Sequence, residues 1–115
     1  MNKSKLDTYN DGVVYLYREK AKKTDFGAKQ NVSTLDDMDF IVKLCFEETS
    51  KRQQDIEFAE QMDFSLSMKI KTPYFKGIES KFKAVINNYL YDIAYIDNDK
   101  KNMWLYLEGI RGLNS

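Results

Sequence analysis

Apolar and polar residues alternate along much of this chain with the two-residue period of a β-strand, most clearly in its last third. Phe64, Leu66, Met68 and Ile70 take turns with Ser65, Ser67, Lys69 and Lys71, which predicts a half-buried strand over 64–71. Thr72-Pro73 ends it, because proline has no N–H to give to a ladder. After a crossing loop come two apolar runs, 82–86 and 89–96, separated only by Asn87-Asn88. Asparagine tolerates positive φ, so that pair predicts a two-residue hairpin. A polar turn over 97–101 and an aromatic-rich run over 103–107 follow. Strand, crossing loop and two hairpins read as a meander.

Upstream, Asp11-Gly12 gives way to a β-branched and aromatic run over 13–19, read as the first strand. Phe40, Val42, Leu44 and Phe46 alternate with Ile41, Lys43, Cys45 and Glu47, giving a second strand with one strongly apolar face. Between these two runs, residues 21–37 are polar, contain Gly27 and show no period, so they read as a long loop. Residues 1–10 read as a frayed or extended terminus.

Over 49–62 the period changes. Ser50-x-x-Gln53 has the form of a capping box. Ile56, Ala59 and Met62 fall three apart and Phe58 lies four before Met62, while Glu57 and Glu60 take the wet side. This predicts a short helix over 51–61, with a strand through 56–58 as its competitor. The expected fold is mainly β, a small antiparallel barrel or sandwich of about six strands with one inserted helix and long loops. One domain spans 1–115, its body running from 11 to 113.

Composition narrows the chemistry. A chain of 115 residues supports one modest core. Lys+Arg and Asp+Glu balance at 18 each, so no overall positive field draws the chain to nucleic acid or anionic lipid. One cysteine allows no intrachain disulfide, and the absence of histidine removes both a conventional zinc ligand and the commonest general base. No apolar run reaches the length of a membrane span, and no signal-peptide core follows Met1, so the expectation is a soluble, intracellular protein.

Charge, though balanced, is arranged in blocks. Glu47, Glu48, Asp55, Glu57, Glu60 and Asp63 stand against only Lys51 and Arg52. Lys69, Lys71, Lys76, Lys81 and Lys83 then stand against Glu79 alone. The blocks are either two solvated faces or the two halves of a head-to-tail contact between copies.

The candidate reaction centres fail on inspection. Asp97-x-Asp99 with Glu108 echoes a calcium loop, but Lys101 occupies a ligand position and Asn102 replaces the glycine of the turn, so a hairpin turn is expected. Cys45 has no histidine to activate it and reads as a buried small residue or a half-exposed inert thiol. Asp36, Asp37 and Asp39 have no partner motif, and Gly109-x-x-Gly112 is too short to cradle phosphate. Tyr15, Tyr17, Tyr89, Tyr91, Tyr95, Trp104 and Tyr106 could form a stacking platform for single-stranded nucleic acid, but such a platform comes with excess positive charge. Core or subunit interface is the preferred reading of these aromatic residues. The expectation is a non-enzymatic protein with no cofactor and no metal.

Several short stretches, in order, carry a resemblance: Phe46-Glu47-Glu48-Thr49-Ser50-Lys51-Arg52-Gln53-Gln54-Asp55-Ile56-Glu57-Phe58-Ala59, then Lys69-Ile70-Lys71-Thr72-Pro73-Tyr74, Ala84-Val85-Ile86-Asn87-Asn88-Tyr89-Leu90-Tyr91-Asp92-Ile93, Ile96-Asp97, and Met103-Trp104-Leu105-Tyr106-Leu107-Glu108. Taken together, they resemble the head–tail adaptor proteins of long-tailed bacteriophages and prophages, the head-closure or stopper group. The resemblance runs from residue 11 to 113, with Asn88 standing where relatives often have glycine.

It implies a small β-barrel with a helix or long loop inserted before the middle strands, assembled as a homo-oligomeric ring in the virion. That ring sits beneath a portal and adaptor ring, keeps packaged DNA in the head and presents a docking surface to tail proteins. Double-stranded DNA passes through its channel without specific binding, and no membrane is involved. By position, Ser50, Lys51, Arg52, Gln53, Asp55, Glu57 and Glu60 match the segment that lines or gates the channel, and the 21–37 loop matches a contact with a neighbouring ring. Glu47, Glu48, Asp63, Lys69, Lys71, Lys81 and Lys83 are the residues expected at the charged contact between subunits. The rival expectations are a tail-completion or tail-terminator protein and a small-barrel nucleic-acid-binding module.

Overall fold

The computed structural model describes residues 9–19 and 38–113. Residues 1–8 of the terminus expected over 1–10, and the loop expected over 21–37, lie outside them. Six strands close into an antiparallel barrel: β1 (Gly12–Glu19), β2 (Met38–Thr49), β3 (Met68–Pro73), β4 (Lys83–Ile86), β5 (Tyr89–Asn98) and β6 (Asn102–Gly112). One helix, α1 (Gln53–Gln61), is inserted between β2 and β3. Alternation along each strand sends Val14, Leu16, Phe46, Ile70, Ala84, Ile86, Ile93, Met103, Leu105 and Leu107 into one buried cluster that fills the barrel.

The order around the barrel is β1-β2-β3-β6-β5-β4, which corrects the simple meander. β4, β5 and β6 do follow one another, but β3 pairs with β6, with Ile70 opposite Leu105, and not with β4. Residues 74–82 make this possible by crossing the barrel's end. Tyr74, Phe75, Ile78 and Phe82 cap the interior cluster on the way, so the crossing is a lid of apolar side chains. The Asn87-Asn88 hairpin is as expected, with φ of 49° and 65°, the pair of positive values that a type I′ turn needs. The turn before β6 is also as expected: Asp99 Oδ1 accepts the N–H groups of Lys101 at 2.9 Å and Asn102 at 2.8 Å.

Three local expectations change. The uniform apolar face of β2 is broken by a bulge: Leu16 pairs with Val42 but Tyr17 with Phe40, leaving Ile41 as the extra residue. The bulge turns Phe40 outward, 55% exposed, where its ring meets those of Tyr15 and Tyr17. The predicted strand over 64–71 starts only at Met68, because the chain leaving α1 first packs Phe64 against Phe58. The cap of α1 is built by Arg52 and Asp55 instead of Ser50 and Gln53: the Arg52 N–H donates to Asp55 Oδ2 at 3.0 Å. The helix is rotated accordingly, with Asp55 and Ala59 buried and Ile56 and Met62 exposed.

A second, smaller apolar cluster lies on the outside of the barrel. Val85 points away from Ala84 and Ile86, and it packs with Met38, Leu90, Tyr17 and Leu113. Cys45 is an exposed thiol. At the start of β1, Gly12 has φ of 148°, and a Cβ there would come within 3.0 Å of the Phe46 ring.

Candidate functional site

α1 lies on the outer face of the wall made by β3, β6 and β5. Strand alternation places Ile70 inside the barrel and Lys69 outside, and Leu105 and Leu107 inside with Tyr106 outside. The helix covers those outward residues. Lys69 Nζ donates to Asp55 Oδ1 at 3.1 Å and Oδ2 at 3.2 Å, and the Tyr106 hydroxyl reaches Oδ1 at 3.4 Å. Lys69 Nζ also stands 5.0 Å from the centre of the Tyr106 ring, a cation–π contact. Asp55 is 5% exposed and Lys69 7%. Each charge is therefore buried with its partner, the condition under which a buried charge is tolerated.

Burial alone raises the Asp55 carboxyl, but the Arg52 N–H and the Lys69 ammonium outweigh it and hold the group below the ordinary carboxylate range. Burial raises the Tyr106 hydroxyl above its ordinary value, with Lys69 opposing and Asp55 adding to the shift. Beside the ion pair, Phe58 sits among Tyr95, Tyr106 and Phe64, with ring centres at 4.7, 5.9 and 6.3 Å. Edge-on ring contacts of this kind add to the area they bury.

Two residues that the sequence pointed to are thereby reassigned. Asp55, expected in the channel-lining segment, is buried against the barrel and fixes the helix in place. Lys69, expected at a contact between subunits, is its partner within the chain. Lys83 is also spent internally, 2.5 Å from Asp92 and 3.2 Å from Glu19. Burial lowers its ammonium pKa, but those two carboxylates more than offset this and raise it. Glu47 and Lys71 face each other across β2 and β3. Two pairings between the charge blocks thus fall within one molecule, Asp55 with Lys69 through α1 and Glu47 opposite Lys71 because β2 and β3 are antiparallel neighbours.

The remaining expected residues stay on the surface. Ser50, Lys51, Arg52, Gln53, Glu57 and Glu60 are exposed, as are Glu48, Asp63 and Lys81. Lys51 Nζ donates to the Ser67 carbonyl at 3.2 Å, and Gln53 Nε2 to Glu57 at 3.3 Å. Between α1 and residues 64–66 runs a groove of about 620 Å³, lined by the apolar Ile56, Ala59, Phe64 and Leu66 together with Lys51, Ser65, Glu60, Asp63 and Glu108.

The aromatic residues do not share one platform. Tyr95 and Tyr106 lie under α1, Tyr15 and Tyr17 flank Phe40, and Tyr89 packs on Tyr91 at 5.0 Å. Asp39 lies 3.7 Å from Arg18; Asp36 and Asp37 fall outside the described residues. Among the described residues no group of three or more acidic or cysteine side chains is placed to hold a metal, and no helix is long and apolar enough to cross a membrane.

The ion pair of Asp55 with Lys69 had no local signal, because its partner stands 14 residues away on β3; the Arg52–Asp55 cap, three residues apart, was the signal available in the sequence. The outward cluster of Met38, Val85 and Leu90 was equally hidden, since each residue reads as ordinary strand core. No family model matches this chain, and no curated protein matches it either.

Proposed function

We propose that this chain is a structural virion protein, a head–tail connector subunit of the head-closure kind, working as a homo-oligomeric ring between a portal-side ring and tail proteins. The observation that carries the reading is the architecture: a closed six-stranded barrel with a single helix inserted between the second and third strands. This is the arrangement that the resemblance of the ordered motifs implies. The helix supports a channel role in a specific way. Its exposed side carries Gln53, Glu57 and Glu60, while Asp55 is withdrawn to hold it. Acidic side chains facing a channel repel phosphates, which suits DNA that must slide past without being held.

The separation of the aromatic residues onto different walls weighs against the small-barrel nucleic-acid module. A tail-completion role shares the same neighbourhood and is separated from head closure only by the partner bound. The test is co-sedimentation of the purified protein with DNA-filled, tailless capsids, scored by negative-stain imaging of the portal vertex. Density at the vertex is the expected result. Binding to isolated tails alone would move the protein to the tail side, and salt-sensitive binding to a labelled oligonucleotide alone would favour the nucleic-acid reading. Binding to none of these would reject the connector reading.

A further inference from the structure

The two edges of β2 are used unequally. On one side β1 pairs with it from Met38 to Phe46. On the other side β3 pairs only with Glu47, Glu48 and Thr49. In an extended strand, successive residues turn their N–H and C=O groups to opposite sides. The Phe46 carbonyl accepts the Asp11 N–H at 2.9 Å, and the Glu48 N–H donates to the Asp11 carboxylate at 2.7 Å, so both residues turn towards the β1 side. Lys43 and Cys45 therefore turn towards the β3 side. Continuing the Glu47–Lys71 register sets Cys45 opposite Pro73, which has no N–H for its carbonyl. The same register sets Lys43 opposite Phe75, where the chain has already left β3 to cross the barrel's end. The Tyr74 N–H, at the start of that crossing, goes to the Lys101 carbonyl at 3.0 Å. Among the described residues, no backbone group pairs with Lys43 on this side, and Lys43 and Cys45 are both exposed.

Unpaired strand groups that face outward are satisfied in full only by another extended chain. The side chains along the edge narrow the choice. Lys43 has no ion-pair partner among the described residues, and its cross-strand neighbour on β1 is Tyr15. Two copies joined antiparallel at this edge, centred on Lys43, would set ammonium against ammonium, a destabilising cross-strand pair. The lysine thus guards the edge against its own kind and favours a strand that brings a carboxylate. Next along the outer face, beyond the bulge, stands Phe40 at 55% exposure, its ring beside Tyr15 and Tyr17. We propose that the β2 edge accepts an extended segment of a different protein as an added strand, with an acidic side chain beside Lys43 and an apolar one beside Phe40. The edge shares no residue with the α1 groove, and the inference does not rest on the connector reading.

The test uses the full chain and a nine-residue peptide of alternating valine and threonine, with glutamate in place of the central valine. Hydrogen exchange in the protein alone should be fast at the Lys43 amide and slow at Val42 and Leu44, whose N–H groups face β1. Peptide should slow exchange at Lys43 and alkylation of Cys45, the chain's one thiol. A peptide with lysine at its centre should bind about tenfold more weakly, and Lys43→Glu, at an exposed position, should reverse that order. Methylating the peptide's backbone nitrogens along the pairing edge should abolish protection. A Lys43 amide already slow in the protein alone, no protection at millimolar peptide, or equal binding of the two peptides would each overturn the proposal. Self-association that protects the Lys43 amide without peptide would assign the edge to a second copy and overturn it too.

Discussion

Asp55 on α1 and Lys69 on β3 meet at 3.1 Å on the outside of the barrel wall, and both are more than nine-tenths buried. The pair explains how a nine-residue helix, too short to be stable by itself, is held in one position. It also turns a strand position that alternation assigns to solvent into part of a second, outer packing layer.

Removing one partner leaves the other buried and uncompensated, so Lys69→Met or Asp55→Leu should each cost about 3–5 kcal/mol. The double replacement should cost less than the sum of the two, because no lone charge remains. Urea unfolding of the four proteins in the cycle measures the difference. Additive losses would show that the two groups do not depend on each other.

The lowered Asp55 carboxyl sets the sign of an acid effect. A group whose folded pKa is depressed contributes stability above its unfolded value and loses it as pH falls through the folded value. Wild type should therefore lose stability from the ordinary carboxylate range downward, and Asp55→Asn should be less stable at neutral pH with a flatter acid limb. Lys83 has the opposite sign: its raised pKa gives stability that is lost only as pH rises through the folded value. Denaturation midpoints against pH for wild type, Asp55→Asn and Lys83→Met check both signs.

Phe58 touches three rings beneath α1 while remaining half-buried. Phe58→Ala should cost about 2–3 kcal/mol, below the range for a fully buried phenylalanine. It should also speed proteolytic cutting within 50–67 more than elsewhere, which limited proteolysis with mass mapping of the cut sites would show.

Asn88 holds φ of 65°, and its side chain donates to the Leu113 carbonyl at 2.8 Å. Asn88→Ala removes that bond and places an ordinary side chain in the left-handed region, for a loss of about 1–2 kcal/mol. Asn88→Gly relieves the strain and loses only the bond, so it should fall between alanine and wild type. Thermal unfolding of the three proteins gives the order.

The strands and the Asn87-Asn88 turn were legible because their signals are local: period-2 alternation, a breaker at Pro73, and two residues that accept positive φ. The crossing of 74–82 was visible only as a loop. Its consequence, β3 beside β6, depends on Tyr74, Phe75 and Ile78 finding the open end of the barrel. The bulge at Ile41 was hidden because Phe40, Val42, Leu44 and Phe46 alternate without a flaw, and only pairing with β1 shifts the register. The candidate surface was half legible. The exposed acids of α1 were found, but Asp55 and Lys69 looked like members of two charge blocks until the folded chain brought them together.

Head closure is the proposed role of this subunit, and it makes the retention of packaged DNA the property to measure. The most direct measurement is nuclease accessibility of the DNA in filled, tailless capsids after the purified protein is added, read as the fraction of packaged DNA that survives. Protection that rises with added protein, and that fails with Lys69→Met protein whose helix is loosened, is the predicted result. Unchanged loss of DNA from capsids that carry the protein at their portal vertex would contradict head closure.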